Sequence, residues 1–308
     1  MTSQVKSPVT GSYNTVLERE IPCSRLIEAY KKELCIDVAK YFSGIDKVSI
    51  YRCLDTGYRF YHPAGISGDG AFYQQLEKFP WYYMDWKWEH SIAMEHIKAG
   101  SSVLEIGCAK GSFLEKLRKS GSSVTGLEMN SRAMEECAAK KIDVHPDSIE
   151  EFSKNSTKRF DTVCSFQVME HVHDIQGFIR SSLKSLNPGG TMIISVPNND
   201  SLMIKDNEQI LNAPPHHAGL WDMNSLIKLQ DYFDIKIKAI HLEPLQEYHL
   251  GVFFKMADKK VREKISSKFG AFSPLINRIA PRFTHAAIAA VRESILGHTI
   301  LIVFKKNL

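Results

Sequence analysis

Apolar residues along this chain fall into short runs that alternate with longer segments of helical spacing. Seven of these runs have the length and the β-branched or aromatic content of strands. They lie near residues 103–106, 123–128, 141–144, 160–166, 191–196, 234–242 and 299–305. Because strands that alternate with helices are joined by helical crossovers, the pattern predicts a mostly parallel sheet with helices on both faces, a doubly wound α/β fold.

The pattern changes on either side of the first strand and again before the last one. Residues 1–20 are polar and are predicted to be loosely ordered, whereas residues 21–42 have the spacing of an amphipathic helix. A long helical segment also separates the last two strands. We therefore predict an N-terminal extension over 1–84, a core over 85–308 and a helical insertion over 246–298.

The composition is that of an ordinary globular chain, with 308 residues, of which 44% are hydrophobic and 24% charged. No run of about 18 apolar residues is present, which argues against a membrane-spanning helix. The first residues lack the apolar stretch of a secretion signal. Six cysteines are scattered along the sequence, which favours free thiols and a reducing, cytoplasmic setting.

Positive charge is concentrated at the C-terminal end of the chain. Residues 251–308 contain eleven Lys or Arg and three Asp or Glu, a net charge of +8, while the rest of the chain carries −4. This asymmetry suggests an anionic partner such as a membrane surface, although a solvated helical face has the same pattern. The insertion could equally form a lid or a contact in a homo-oligomer. The nearly neutral core disfavours a nucleic acid partner.

The segment 103–114, V-L-E-I-G-C-A-K-G-S-F-L, combines a buried strand, an acid, a glycine turn and the start of a helix. Glu105 stands at the end of the strand, and Gly107 and Gly111 lie in the turn. Glycine allows backbone angles closed to other residues and a close approach of a ligand to the main chain. The order predicts a cofactor site at the carboxyl edge of a parallel sheet. The spacing is not the dinucleotide fingerprint G-x-G-x-x-G.

This segment resembles motif I of the class I S-adenosylmethionine-dependent methyltransferases, and later segments resemble the family's further motifs in the same order. Those segments are Gly126-Leu127-Glu128-Met129, Val144-His145-Pro146-Asp147-Ser148, Gln167-Val168-Met169-Glu170-His171 and Asn187-Pro188-Gly189-Gly190. The resemblance covers roughly residues 85 to 245 and the last strand. It implies a Rossmann-like sheet of seven strands and S-adenosyl-L-methionine as the cofactor.

The resemblance also implies which residues bind the cofactor. Glu128 would accept hydrogen bonds from the ribose hydroxyls, because a carboxylate has two oxygens that only accept. Asp147 would take the adenine amino group, with the backbone of its neighbour Ser148 facing the ring. The full predicted cofactor set is Glu105, Gly107, Cys108, Gly111, Glu128, Met129, Asp147, Ser148 and Gln167.

Methyl transfer to a hydroxyl oxygen also requires a group that removes a proton. Glu170 and His171 follow the fourth strand and are candidates. The segment Ala213-Pro214-Pro215-His216-His217 resembles a P-x-H loop of the same family branch and supplies two more. A histidine can act as a base at neutral pH. We favour His217 over His216, because one member of an adjacent pair usually points outward.

Two segments resemble metal sites but lack ligands. Some relatives carry E-x-x-E-H after the fourth strand and bind a divalent ion, whereas here Gln167 replaces the first acid and brings no charge. Residues 49–63 resemble the zinc-ribbon hairpin of sugar-modifying methyltransferases, but Thr56 stands where the second cysteine should be. Cys23 also has no nearby second cysteine. A structural zinc needs four ligands, so we predict no metal.

The hairpin and the aromatic-rich segment 72–88 bear on the acceptor. Flat rings could cover the cofactor and a sugar, or could simply join the extension to the core. The resemblance favours O-methylation of a sugar or glycan in polysaccharide biosynthesis. Two alternatives remain, namely O-methylation of a phenolic or quinone-type small molecule, and a non-catalytic domain that binds the cofactor or a partner.

Overall fold

The structure is a computed structural model that describes residues 5–79, 81–82, 84–205, 209–269 and 283–308. The N-terminal part contains three strands and two helices in the order β1 (Thr15–Pro22), α1 (Cys23–Leu34), β2 (Lys47–Cys53), β3 (Arg59–His62) and α2 (Gly70–Leu76).

The rest of the chain alternates strands and helices as the sequence predicts. Its elements are α3 (Trp88–His96), β4 (Ser102–Ile106), α4 (Ser112–Lys119), β5 (Ser123–Leu127), α5 (Ser131–Ala139), β6 (Asp143–His145), α6 (Ile149–Asn155), β7 (Phe160–Phe166), α7 (Ile175–Lys184), β8 (Leu186–Pro197), α8 (Leu202–Lys205), β9 (Gly219–Leu220), α9 (Met223–Ile227), β10 (Ile235–Pro244), α10 (Leu250–Phe269) and β11 (Leu296–Lys306).

Seven strands form the core sheet in the order β10-β11-β8-β7-β4-β5-β6. The strands β4, β5, β6, β7 and β8 pair in parallel, and only β11 runs antiparallel to its two neighbours. This confirms the predicted α/β fold with a mostly parallel, Rossmann-like sheet. All the parallel strands therefore end at the same edge, where the candidate site residues follow them.

The two faces of the sheet bury different side chains of the same strands. Leu104 and Ile106 of β4 pack in one cluster with residues of α6 and α7. Val103 faces the other way and packs with Phe113 and Leu114 of α4. Because successive side chains in a strand point to opposite faces, continuous apolar runs are what a strand covered by helices on both sides requires.

A second sheet of four strands, in the order β1-β2-β3-β9, contains the predicted hairpin. All of its pairings are antiparallel. The strand β9 comes from the distant loop after β8, since Phe60 pairs with Gly219 and Arg59 with Leu220. This sheet therefore connects the N-terminal residues to the loop that carries His216 and His217.

The prediction of loose order over residues 1–20 is wrong for the part that the structure describes. Residues from Thr15 onward form β1, and Val9 is 1% exposed in the core. The strand was not predicted because most of its side chains are exposed and three of its eight residues are charged. It pairs through its backbone and through cross-strand ion pairs, in which Glu20 lies 2.7 Å from Lys47 and Glu18 lies 2.8 Å from Arg52.

The predicted insertion before the last strand contains α10 and a second helical stretch over residues 283–291. Residues 270–282 of the predicted insertion lie outside the described residues. Among the helices that the structure describes, none combines the length and the apolar character that a bilayer crossing requires.

The hairpin yields a test of the predicted loss of zinc. Thr56 is 3% exposed, and the Cys53 thiol lies 3.8 Å from the Thr10 hydroxyl. We expect elemental analysis of the purified protein to find no zinc bound by the hairpin, and the chelator EDTA to leave the melting temperature unchanged. One zinc per chain that disappears in Cys53→Ser would contradict this.

Candidate active site

A cavity of about 1540 Å³ opens at the carboxyl edge of the core sheet. The cavity is lined by the loops after β4, β5, β6 and β7, and by the first residues of α10. Residues of the loop 213–218 after β8, here called the histidine loop, also line it. Every predicted site residue except Gly111 borders this cavity. The cavity is thus the place where the chemistry predicted from the sequence comes together.

The glycine turn after β4 has the backbone that only glycine adopts easily. Gly107 has φ +72° and Gly111 has φ +71°. A Cβ on Gly107 would lie 2.6 Å from Cγ2 of Val168, in the turn after β7. A Cβ on Gly111 would instead lie 2.6 Å from Ile142 and 2.9 Å from Cys137. Gly111 therefore allows close packing inside the core, and the structure gives no support to the expected approach of a ligand to Gly111.

Cys108 borders the cavity through its backbone rather than its thiol. Its side chain points into the core, where its sulfur lies 4.0 Å from that of Cys137. A Cβ on Gly126 would lie 2.5 Å from the Cys108 sulfur, so β5 also needs a glycine there. The thiol of Cys108 is a packing group.

Glu128 joins the loops after β4 and β5. Its carboxylate accepts hydrogen bonds from the N–H of Ala109 at 2.9 Å and from the N–H of Asn130 at 2.8 Å. Each oxygen can accept a further bond, so the predicted ribose contact remains compatible with this role. Met129, which follows, is 72% exposed beside the cavity.

Asp147 and Ser148 border the cavity at the end of β6. Ser148 caps α6, because its hydroxyl accepts from the N–H of Glu151 and its own N–H donates to the Glu151 carboxylate at 3.1 Å. The backbone of Ser148 was expected to face the adenine ring, and the N–H of that backbone is already bonded to Glu151. A capping box of this kind stabilises the start of the helix.

Three buried carboxyl groups face the cavity, and one oxygen of each has no hydrogen-bond partner among the described residues. They are Glu89, Glu105 and Glu170, which are 1%, 4% and 2% exposed. Burial raises the pKa of all three, and raises that of Glu170 to about 8. Buried polar atoms without partners are rare in folded proteins. The oxygen of Glu105, beside the glycine turn, fits the ammonium group of S-adenosylmethionine.

Gln167 stands at the end of β7 with φ +53°, an unusual angle for a residue other than glycine. Its amide donates to the carboxylate of Glu89 on α3 at 3.4 Å. The side chain that replaces the acid of the metal-binding relatives thus contacts a carboxylate that the sequence analysis overlooked.

Hydrogen bonds from α1, from β3 and from the turn after β7 position the histidine loop. The N–H of Ala218 donates to the carbonyl of Glu170 at 2.7 Å, and the N–H of Tyr61 donates to the carbonyl of Ala218. The hydroxyl of Tyr30 donates to the carbonyl of Ala213 at 2.9 Å. These bonds hold the loop against the turn that carries His171.

The rings of His171, His216 and His217 come together as predicted. Their centroids lie 4.6 Å apart for His171 and His216, 4.9 Å for His171 and His217, and 4.5 Å for the adjacent pair. His216 and His217 are each 7% exposed. The expectation that one of the two points outward is therefore wrong, because the loop packs between the two sheets.

Burial keeps the three rings neutral at pH 7. It lowers the pKa of His171 to about 4, and it lowers the pKa of His216 and His217 well below 6.5. Neighbouring histidines lower the last two further. A neutral imidazole has one nitrogen that donates and one that accepts.

The hydrogen bonds distinguish the three histidines. His171 donates from Nδ1 to the carbonyl of His216 at 2.6 Å. His216 donates from Nδ1 to the carbonyl of Leu211, and its Nε2 accepts from the hydroxyl of Tyr82 at 2.8 Å. Both nitrogens of His216 are thus occupied. His217 donates from Nδ1 to the side-chain oxygen of Asn212 at 3.0 Å, which leaves its Nε2 lone pair available.

Within the described ranges, the group able to hold a metal ion is His171, His216 and His217, whose ligand atoms lie within 4.8 Å of one another. His216 would have to break a hydrogen bond to become a ligand. The set has no carboxylate, whereas hard cations such as Mg²⁺ prefer oxygen ligands.

Two residues of the cavity lining, Glu89 and Asn212, were not predicted from the sequence. Glu89 directly follows the aromatic-rich segment 72–88, and an acid beside aromatic residues was a usable signal. Asn212 precedes the histidine loop by one residue and carried no motif.

The comparisons with known proteins agree with this geometry. A family model described as a methyltransferase domain matches residues 81–237, about half of the chain. The ubiquinone biosynthesis O-methyltransferase of Proteus mirabilis (strain HI4320) is 29% identical over 139 residues, which are 42% of this chain and 56% of that protein. Its mitochondrial counterpart from Bos taurus is 28% identical over 137 residues, 40% of this chain and 37% of that protein. The chain thus spans about half or less of these two relatives.

Among solved structures, a SAM-dependent methyltransferase from Archaeoglobus fulgidus has the same fold, with a TM-score of 0.50 and 20% identity over 77% of this chain and 100% of that chain. The sheet order and the glycine turn define a class I S-adenosylmethionine-dependent methyltransferase. The chain belongs to the methyltransferase domain family, and its cofactor is S-adenosylmethionine.

The contact between the glycine turn and Val168 can be tested with a matched pair of variants. Gly107→Ala places a methyl group against Val168, whereas Gly121→Ala has a comparable φ of +90° with nothing within 4 Å. We expect calorimetry to show at least a tenfold higher Kd for S-adenosylmethionine in Gly107→Ala, about 1.4 kcal/mol. Gly121→Ala should lower the stability without changing the Kd. Equal binding of S-adenosylmethionine by both variants would show that the close contact between Gly107 and Val168 is not needed for cofactor binding.

The raised pKa of Glu170 predicts a pH-dependent stability difference. The folded protein holds this proton until about pH 8, whereas the unfolded chain releases it near 4.5. The stability that Glu170 contributes is therefore complete below pH 4.5 and is lost as the pH rises through 8. Relative to the parent, Glu170→Gln should gain on the order of 1 kcal/mol per pH unit across this window in denaturant unfolding. A constant difference would contradict the burial of the carboxyl.

Proposed function

We propose that this protein methylates an oxygen of a small phenolic acceptor. The observation that supports this most is the available Nε2 of His217 beside the cofactor residues in one cavity. When bound, S-adenosylmethionine supplies a methyl group on a sulfonium, which is reactive without further activation by the protein. The task left to the chain is to orient the acceptor and take its proton.

The residues divide this task between two parts of the cavity. Glu105, Gly107 and Glu128 would hold the cofactor at the ends of β4 and β5. His217 would accept the proton of the acceptor hydroxyl at Nε2 while its Nδ1–H stays bonded to Asn212. His171 and Glu170 would contact the acceptor from the turn after β7. Holding two reactants in line accounts for much of the acceleration in such reactions.

The acidity of the acceptor favours a phenol over a sugar. Burial keeps the pKa of His217 well below 6.5, which makes it a weak base. A phenol has a pKa of about 10, as in tyrosine, whereas an aliphatic hydroxyl is a much weaker acid with a pKa nearer to that of water. Proton transfer from a sugar hydroxyl to this imidazole would therefore be far more costly than transfer from a phenol.

The relatives support the same choice. The two named above are O-methyltransferases of ubiquinone biosynthesis, although each matches this chain over only part of its length. The ribbon-like hairpin, on which the expectation of a sugar depended, pairs with β9 and supports the histidine loop. We propose that the extension over residues 1–84 serves to position this loop.

A sugar or glycan hydroxyl remains a second candidate because of the aromatic side chains at the cavity. Trp81, which is 51% exposed, and Tyr73 both border it. Flat rings stack on the apolar face of a sugar as readily as on a phenol.

An acceptor screen and one variant test the proposal. With labelled S-adenosylmethionine, we expect methyl transfer to catechols and other phenols and little transfer to nucleotide sugars or oligosaccharides. His217→Ala should lower kcat by about 10²–10⁴-fold with the cofactor Kd nearly unchanged. His62→Ala, on the hairpin and outside the cavity lining, serves as the control.

The pH dependence of kcat follows from the lowered pKa of His217. Because the pKa of His217 is lowered, the base stays neutral as the pH falls past 6.5, and kcat should decline only at a clearly lower pH. Parent-like turnover by His217→Ala would show that the base lies elsewhere.

A further inference from the structure

A chain of side-chain amides runs from the backbone of Trp221 to the ring of His217. The amide nitrogen of Asn199 donates to the carbonyl of Trp221 at 2.9 Å. The amide nitrogen of Asn212 donates to the oxygen of Asn199 at 2.7 Å. The oxygen of Asn212 lies 3.0 Å from Nδ1 of His217. The chain thus contains three consecutive hydrogen bonds.

The carbonyl at the far end determines the direction of every bond in this chain. A backbone carbonyl only accepts, so Asn199 must present its NH₂ group to Trp221 and its oxygen to Asn212. Asn212 must then present its own NH₂ group to Asn199 and its oxygen to His217. That oxygen only accepts, so Nδ1 of His217 must carry the proton. Hydrogen positions are assigned from such networks, and here each assignment follows from the one before.

The surroundings hold both amides in this orientation. Asn199 is 5% exposed, and its backbone N–H also donates to the carbonyl of Trp221, at 3.0 Å. A second carbonyl, that of Pro197, lies 3.4 Å from the same amide nitrogen. The backbone carbonyl of Asn212 accepts from the hydroxyl of Tyr61 at 2.9 Å, which holds the main chain of Asn212 in place, while its amide orientation follows from that of Asn199. A flipped Asn199 would place its oxygen against two carbonyl oxygens.

We propose that Asn199 and Asn212 are positioning residues that hold His217 in the Nδ1–H tautomer, with the Nε2 lone pair directed to the cavity. This inference rests on the proposed function, in which Nε2 of His217 takes the proton of the acceptor. After the ring has taken that proton, Nδ1–H remains bonded to Asn212, so the three hydrogen bonds keep their partners and directions. Without these hydrogen bonds, a neutral ring could carry its proton on Nε2. That nitrogen would then have no lone pair with which to take the proton of the acceptor.

The tautomer can be observed without any acceptor. In protein labelled with ¹⁵N-histidine, NMR separates protonated from unprotonated ring nitrogens, and the signals lost in His217→Ala identify this ring among the twelve histidines. We expect protonated Nδ1 and unprotonated Nε2 in the parent. Asn212→Leu should remove this preference, and Asn199→Ala should weaken it. An Nε2–H ring in the parent, or an unchanged ring in both variants, would overturn the inference.

Turnover with catechol as the acceptor measures the consequence. Asn212→Leu should lower kcat at least tenfold, while KM for catechol and the cofactor Kd change less than twofold. Asn198→Ala is the control, because Asn198 is a buried asparagine directly before Asn199, and among the described residues its side-chain oxygen accepts from the N–H of Asp200 and not from the amide of Asn212. A loss of the same size in Asn198→Ala would mean that general disturbance of this loop explains the effect, and would overturn the inference.

Asn212→Asp supplies a readout that a merely structural residue would not move. A carboxylate beside Nδ1 favours the imidazolium ion, so the acidic limb of the kcat profile should move at least one unit toward higher pH. The other titratable groups that face His217 are His171, His216 and His298, and they are unchanged in this variant. An unmoved limb would contradict the inference.

Different results would contradict the positioning role of Asn212 and the proposed role of His217 as the base. If NMR shows the Nδ1–H tautomer and its loss in Asn212→Leu, but His217→Ala turns over like the parent, then the proposed base is wrong. If His217→Ala is inactive and the tautomer does not respond to Asn212, then the positioning role is wrong and the proposed function stands.

Discussion

The site depends on the parallel pairing of four neighbouring strands. Ser165 of β7 lies opposite Ile106 of β4, and Phe166 lies opposite Ser195 of β8. Parallel strands end at the same edge of a sheet, and ligands bind in the crevice outside their carboxyl ends. The glycine turn, Glu128 and His171 meet at one cavity because this pairing brings together residues that are far apart in sequence.

Burial then sets the chemical state of the groups at that edge. The same removal of water lowers the pKa of the histidines and raises that of Glu170. Burial disfavours the charged form whatever its sign. At neutral pH the cavity thus offers neutral imidazoles and a protonated carboxyl, which accept and donate hydrogen bonds instead of forming ion pairs. Such a site suits the removal of one proton from an acidic hydroxyl better than the binding of a hard cation.

The sequence alone predicted the local features and missed those that depend on distant contacts. The strands and the glycine turn were predictable because apolar runs and glycines act within a few residues. The strand β1 was not, because its pairing with β2 replaces the hydrophobic pattern as the stabilising interaction. Gly111 looked like a ligand contact, but its closest neighbours come from α5 and from the residue before β6. The orientation of His217 depends on Asn199, Asn212 and Trp221, and no spacing rule joins them.

The N-terminal sheet also changes what the hairpin implies. Its resemblance to a zinc ribbon suggested a sugar substrate, whereas its strand β3 pairs with β9, the two residues that directly follow Ala218. The pairing of β3 with β9 uses backbone hydrogen bonds and needs no metal ligand in the hairpin. The most direct test of the whole account is a crystal structure of the protein with S-adenosylhomocysteine. The account predicts the ribose at the Glu128 carboxylate and Nε2 of His217 directed toward the sulfur end of the ligand. A ligand bound elsewhere, or a His217 ring turned away from it, would contradict the account.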